Sequence, residues 1–250
     1  MSESKKKVLF ITYYWPPSGG AGVQRCLKFV KYLPFFGVEP HVYTVENGEY
    51  PSIDHSLEKD IPQEAVVIKK PIWEPYHIFK LLSGKTKDDK VQAGFISEDG
   101  KGSKVKEVAI WLRGNLLIPD PKRFWVKPSI KFLKQYIQEN QIETIVSSGP
   151  PHSMHLIAMG LKEAIPSIKW VADFRDPWTD IDFYKDLKLT RKADKKHHRL
   201  EKEVLTKADE VITVGPTLQR DLEEISKRSV GLITNGYDHE DYPPYDGPLD

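Results

Sequence analysis

Cysteine is nearly missing from this chain of 250 residues: Cys26 stands alone, so no internal disulfide can form. The helical spacing around it assigns the thiol to a core and not to nucleophilic work, which suits a reducing, cytoplasmic compartment. Long apolar runs are lacking too. After the polar, basic stretch Met1 to Lys7 the only apolar run is Val8 to Ile11, far too short for a signal peptide or a membrane span. Any membrane contact is therefore expected to be peripheral. Charge of one sign is also missing overall, with a formal net charge of +1, and no nucleic-acid partner is expected. That balance hides an uneven spread, because Lys69 to Lys131 holds fourteen Lys or Arg against seven Asp or Glu. With 39% hydrophobic residues the chain has enough apolar side chains for an ordinary buried core.

Val8 to Tyr14 reads as a buried parallel strand. Val23, Cys26, Leu27, Val30 and Leu33 then follow the three-and-four spacing of a helix face, closed by Gly37 as a left-handed cap. Strands at His41 to Val45 and Ala65 to Lys69 complete a β-α-β opening with a right-handed crossover. From Pro71 to Lys127 the rhythm breaks. Ser83 to Lys106, with Gly84, Gly94, Gly100 and Gly102 among charges, reads as a mobile basic insertion. Alternation resumes with a helix near Pro128 to Asn140, a strand at Thr144 to Ser148, a helix from His152 to Ala164 and a strand at Lys169 to Asp173. A charged helix at Leu187 to Ala208, a strand at Glu210 to Val214, a helix at Thr217 to Ser226 and a short strand at Gly231 to Thr234 follow. Residues 242–250 have linker composition. The fold class is α/β, a Rossmann-like, mainly parallel sheet with helices on both faces. The first glycine-rich loop and Asp173 both follow apolar strands directly, so they are expected at the same carboxyl edge.

Three segments can carry chemistry. The first runs from Tyr13 to Gly22, where Gly19, Gly20 and Gly22 let backbone approach a ligand and the helix beyond offers free N–H groups to a phosphate. The alternative is a long turn that needs positive φ. Glu46, ending the second strand, raises a nicotinamide-dinucleotide reading, but the spacing G-G-x-G and five bulky residues before it depart from the G-x-G-x-x-G fingerprint. The second segment is Ser147 to His155, where Gly149 and two prolines stop the strand and leave Ser148 and His152 at a helix amino terminus. There the dipole disfavours a protonated His152, making it a neutral hydrogen-bond partner. The plainer reading is that Ser148 or Ser153 caps the helix, and His155 reads as packed. The third segment is Ala172 to Asp180. Asp173 and Asp176 flank Arg175 and can hold sugar hydroxyls or fix the arginine, and Trp178 offers an apolar face for a sugar ring. Asp180 and Asp182 spell D-x-D, too weak a pattern to assign a metal, and no metal is expected. His197 and His198, adjacent on the charged helix, cannot face one another and read as solvated.

Together these segments resemble the amino-terminal domain of glycosyltransferase family 4-like proteins, which have the GT-B architecture of two facing Rossmann-like domains. The carriers are Phe10 to Gly22, Arg25 to Val45, Ser148 to His152, Asp173 to Trp178, and Val214 with Asn235, Gly236 and Tyr237. The resemblance implies that residues 1–241 form the acceptor-side half of a retaining, metal-independent glycosyltransferase. Residues 242–250 would start the linker to a carboxyl-terminal donor domain that lies outside this sequence. By the same resemblance Gly19, Gly20 and Gly22 lie under the sugar and phosphates of a nucleoside diphosphate sugar. Ser148, His152, Asp173, Asp176 and Trp178 line the acceptor side. The donor is a substrate, no cofactor is implied, and no general base is assigned. The family commonly has a histidine in the turn after the fourth strand; here Ser148-Gly149-Pro150-Pro151 occupies that turn and His152 comes later. The acceptor is expected to be a cell-surface glycan or a lipid-linked sugar, and the isolated chain is not expected to transfer sugar. A noncatalytic nucleotide- or sugar-binding module is the reading from another class, and an NAD-dependent oxidoreductase a third.

From Val105 to Leu117 the residues Val105, Val108, Ala109, Trp111, Leu112, Leu116 and Leu117 follow helical spacing. Lys104, Lys106, Arg113, Lys122, Arg123 and Lys127 surround them with positive charge. Such a helix can lie on an anionic membrane surface at the inner face of the membrane. The alternative is a helix that packs this stripe on the sheet.

Overall fold

The computed structural model describes residues 5–73 and 104–241, with the side chains of 104–106 and 109 left aside. Strand β1 (Lys6–Ile11) buries Leu9, Phe10 and Ile11, the continuous apolar run of a strand covered on both faces. It ends at Ile11, three residues short of the expected Tyr14: Thr12 N still donates to the Tyr43 carbonyl, but the chain bends at Tyr13 and buries Tyr13 and Trp15 in the loop. Helix α1 (Ala21–Tyr32) starts after Gly20, whose φ of 89° favours glycine. It buries Val23, Cys26, Leu27 and Val30. Gly37, at φ 71°, caps the short 3-10 turn Leu33–Phe36 that extends α1.

Strands β2 (Val38–Val45) and β3 (Val66–Lys70) follow, then helices α2 (Lys104–Leu116) and α3 (Arg123–Asn140). Next come β4 (Thr144–Gly149), α4 (Ser153–Ala164) and β5 (Lys169–Phe174). The chain closes with α5 (Arg191–Lys207), β6 (Glu210–Thr213), α6 (Pro216–Ser226) and β7 (Gly231–Leu232). The helix expected from Leu187 to Ala208 starts later, at Arg191. Asp182–Leu187 forms a 3-10 turn, Lys188 is left-handed, and α5 begins only after Thr190, whose side chain accepts from Ala193 N. The expected last strand, Gly231 to Thr234, holds two residues.

Every strand pairing is parallel, and the order is β3-β2-β1-β4-β5-β6-β7. The chain builds outward from β1 in one direction, then returns to start β4 on its other side. Connections diverge there, opening a crevice at the carboxyl ends of β1 and β4. Strand side chains alternate between faces. Leu9, Ile11, Tyr43, Ile145 and Ala172 meet Leu133 of α3, Ile157 of α4, Val204 of α5 and Leu222 of α6. Phe10, Val42 and Val146 meet Val23, Leu27 and Val30 of α1 on the opposite face. This is the Rossmann-like α/β fold, with helices on both faces.

The insertion expected at 83–106 lies outside the described residues up to 103, and its last three residues belong to α2. The linker at 242–250 lies outside them as well. Two details of the basic stretch differ from expectation. Lys122 is buried, its ammonium 4.2 Å over the Tyr13 ring, so it adds no surface charge, and Leu117 turns inward. Nor does α2 pack its apolar stripe on the sheet: Val108 and Leu116 are exposed.

Candidate functional site

The first loop and the β5 edge meet at the crevice. Gly19 passes so close to the segment after β2 that a Cβ would lie 2.8 Å from Ser52 Oγ, and its N–H donates to the Ser52 carbonyl at 2.9 Å. Gly22 opens the first turn of α1, and its carbonyl accepts from Arg175 Nη1. Arg175 also donates to the carbonyls of Gly149 and Pro150, so one guanidinium joins the glycine loop to the turn after β4. This is not the expected bracketing of Arg175 by its neighbouring carboxylates.

Asp173 pairs instead with Arg25 of α1. Arg25 Nε lies 3.0 and 3.2 Å from the two carboxylate oxygens, and Ser148 Oγ donates to Oδ2 at 2.7 Å. With 1% of its surface exposed, Asp173 presents no free oxygen to an acceptor, and neither does Ser148 offer a free hydroxyl. Both are corrected from acceptor-facing to supporting residues, since a carboxylate so buried needs this pairing. Arg25 Nη1 reaches the Ile233 carbonyl at 2.8 Å and Asn235 Oδ1 at 3.0 Å, while Nη2 is buried without a partner. Arg25 was not singled out by its spacing, although its place one turn into α1 put it within reach of the β5 edge. A groove of about 1040 Å³ runs along α1 from Gly22, Arg25 and Arg175 toward Tyr32, with Asn235 and Tyr237 on its far wall.

A second opening, of about 280 Å³, lies on the other side of Asp176, which lines both. Its walls include Tyr14, Pro150, His152 and Trp178, with Arg113 from α2. His152 stacks flat on Trp178, centroids 4.5 Å apart and planes at 3°. Its Nδ1 is buried without a partner, and the ring is held neutral, with its pKa pushed well below 6.5. The main cause is burial, with the nearby His155 and Arg175 adding to it, where the helix dipole was the expected cause. His155 is packed as expected: its Nδ1 meets Ser147 Oγ at 2.8 Å, its ring stacks on Phe174, and burial and Arg175 push its pKa to about 3.

Trp178 is 3% exposed and one face is taken by His152, so it is no open platform for a sugar ring. Its indole N–H donates to His197 Nδ1 at 3.2 Å, and His197 Nε2 lies 3.2 Å from the Gly114 carbonyl. The solvated reading of His197 is thereby corrected; His198 does face solvent. The inner face of α5 also buries Glu201, which accepts from Thr179 Oγ1 at 2.5 Å. The spacing of Ala193, His197, Glu201 and Val204 marks this face, but two polar members hide it from a hydrophobicity pattern. The amino terminus of α4 is capped by neither Ser148 nor Ser153. Asp120, from the loop before α3, accepts from Ser153 N at 2.9 Å and Ser153 Oγ at 2.8 Å.

Asp180 and Asp182 are exposed. The acids that converge among the described residues are Asp60, Asp238 and Asp241, and Lys28 and Lys31 already sit between them at 2.5 to 3.0 Å. Glu46 is exposed and lines neither opening.

No family model matches the chain, and no curated protein matches it in sequence. Solved structures do match it in shape. A glycosyltransferase from Rickettsia africae ESF-5 is 12% identical with a TM-score of 0.49, over 93% of this chain and 43% of the other. A sucrose-phosphate synthase from Thermosynechococcus elongatus is 14% identical with a TM-score of 0.48, over 92% and 90%. Phytolacca americana UGT2, in complex with UDP-2fluoro-glucose and pterostilbene, is 13% identical with a TM-score of 0.49, over 93% and 54%. The chain thus spans about half the length of the first and third. The fold assignment rests on the sheet's own order and register.

Proposed function

We propose that this chain forms one wall of a glycosyltransferase cleft, with a nucleoside diphosphate sugar at the glycine loop and the acceptor in the smaller opening. One observation carries the reading: Arg175 ties the Gly22 loop to the Gly149-Pro150 turn, so two ligand-sized openings adjoin at the crevice and share Asp176. The resemblance of the same segments to glycosyltransferase family 4-like proteins gives it a chemistry. The amino terminus of α1, beside Gly19, Gly20 and Gly22, offers N–H groups to the diphosphate, and the spare Arg25 Nη2–H stands close by. Donors of this kind meet charge on the leaving group without a metal. Neutral His152 is suited to accept or donate one hydrogen bond to an acceptor hydroxyl, with Trp178 fixing its ring. Ser148 and Asp173 position the edge through Arg25, and Asp176 is the carboxylate left to meet sugar hydroxyls.

Transfer in this reading is retaining, in the cytoplasm at the inner face of the membrane, to a cell-surface glycan or lipid-linked sugar. A single wall neither excludes water nor clamps two substrates, so the chain alone is expected to bind without appreciable turnover. Calorimetric titration with nucleoside diphosphates, sugar nucleotides and nicotinamide dinucleotides tests this. Diphosphate-bearing ligands are expected to bind, and Gly20→Ala to weaken them several-fold, because a Cβ at positive φ costs about 1 kcal/mol or more. Binding of nicotinamide dinucleotides alone, or of nothing, would overturn the proposal. Binding without transfer by any longer form that contains the second wall would leave the noncatalytic module.

A further inference from the structure

Among the described residues, helix α2 is seated along one side only. At Gly114 its backbone comes so near the turn before α5 that a Cβ would lie 2.7 Å from Leu189 Cδ2 and 2.9 Å from the Leu187 carbonyl oxygen. Val108, Leu112 and Leu116 recur every fourth residue on the side away from Gly114. Val108 and Leu116 are 55% and 54% exposed, where a helix in water ordinarily carries polar residues. The apolar surface continues past the helix end. Arg123 donates to the Leu116 carbonyl, and the neighbouring Phe124, 41% exposed, packs edge-on at 4.8 Å against Trp73, 60% exposed.

Glu107, beside Val108, is paired with Lys188 at 3.2 Å, and among the described residues the other charges beside this surface are cations. Lys127 is exposed one turn beyond Arg123, and Arg113 is exposed on α2. On α5, which touches α2 through His197, Lys196 lies within the fields of both Arg123 and Arg199, and burial together with these like charges lowers its pKa. Glu203 pairs with Arg199 at 3.6 Å, but Arg113, Arg123 and Lys196 stand beside exposed rings whose apolar area, among the described residues, is left to water. An anionic lipid surface suits both at once, since it takes rings at the headgroup level and cations at the phosphates.

We infer that the α2 face docks on an anionic lipid bilayer, with Val108, Leu116, Phe124 and Trp73 entering the interface and Arg113, Arg123 and Lys196 at the phosphates. No helix among the described residues is long and apolar enough to cross a membrane, so this docking is peripheral. It does not depend on the glycosyltransferase reading.

Cosedimentation of the whole chain with vesicles, in the absence of any sugar nucleotide, tests it. The chain is expected to sediment with phosphatidylcholine vesicles that contain phosphatidylglycerol, at low salt, and to be released at high salt. Arg123→Gln combined with Lys196→Gln is expected to lower the partition coefficient roughly 25-fold, about five-fold for each charge lost near the surface. Leu116→Asp should lower it about ten-fold, and Val108→Asp replaces it if Leu116→Asp loses its native circular dichroism. No binding to the anionic vesicles at low salt would overturn the inference. So would equal binding to phosphatidylcholine alone, or undiminished binding by the folded variants.

Discussion

Protonating His197 would place a hydrogen on Nδ1, the atom that accepts the Trp178 indole N–H. The imidazole must therefore stay neutral, with its own proton on Nε2 facing the Gly114 carbonyl. Burial pushes the pKa of His197 below 6.5, as it does for His152 and His155. The sign follows from linkage. Below pH 6.5 the unfolded chain takes up protons at these three sites while the folded chain does not, so stability is whole above that pH and falls as pH drops toward the folded values. Glu201 works the other way, because burial raises its pKa above 4.5 and its share returns on acidification. His152 and His155, both held well below 6.5, account for about 1 kcal/mol each by pH 5.5, and His197 adds in the same direction. Urea unfolding is expected to show a net loss of about 2–3 kcal/mol between pH 7.5 and 5.5; a flat profile would show that the imidazoles are not held neutral.

Helix α4 owes its position to a residue far away in sequence. Asp120 accepts from Ser153 N and Oγ and also from Lys122 N at 2.9 Å, joining the start of α4 to the loop before α3. Asp120→Ala is expected to cost about 1–2 kcal/mol, with Asp120→Asn in between, measured by thermal unfolding monitored through circular dichroism. No change would mean that water serves the α4 terminus equally well. Elements of this kind were legible in the sequence where one face decides them. The run at Thr144 to Ser148 and the spacing of Val23, Cys26, Leu27 and Val30 lie close to the final bounds of β4 and α1, whereas the strand expected at Val8 to Tyr14 ends at Ile11. Partners were not legible. Spacing tells which side of α5 turns inward, but the burial of His197 and Glu201 depends on Trp178 and Thr179 from another loop. Likewise Asp173 looked free to bind sugar because Arg25, which occupies it, lies 148 residues away.

Across the whole molecule, the α1 face of the sheet is fastened by charge as well as by apolar packing. After β7 the chain returns to α1, where Arg25 holds Ile233 and Asn235, and Lys28 and Lys31 reach Asp238 at 2.8 and 2.7 Å. Tyr32 donates to the same carboxylate at 2.7 Å, while Asp60 bridges the two lysines from the turn after β2. Desolvation opposes the charge on Asp238, but these donors outweigh it and hold the carboxyl far below its usual range, raising both lysines in turn. A depressed carboxyl contributes stability above its unfolded pKa of 3.8 and loses it only as pH falls further, so the clasp is complete near neutrality. It lies beside the larger groove and fixes the far wall formed by Asn235 and Tyr237. Asp238→Ala is therefore expected to release residues 234–241 without melting the sheet. Hydrogen exchange should then speed up in that segment by about ten-fold or more while amides of β4 and β5 keep their protection, and moderate salt should mimic part of the effect in the parent chain. Uniform acceleration across β4 and β5 would instead make Asp238 part of the global fold, and unchanged exchange at 234–241 would leave Arg25 and its contacts to Ile233 and Asn235 as the tether.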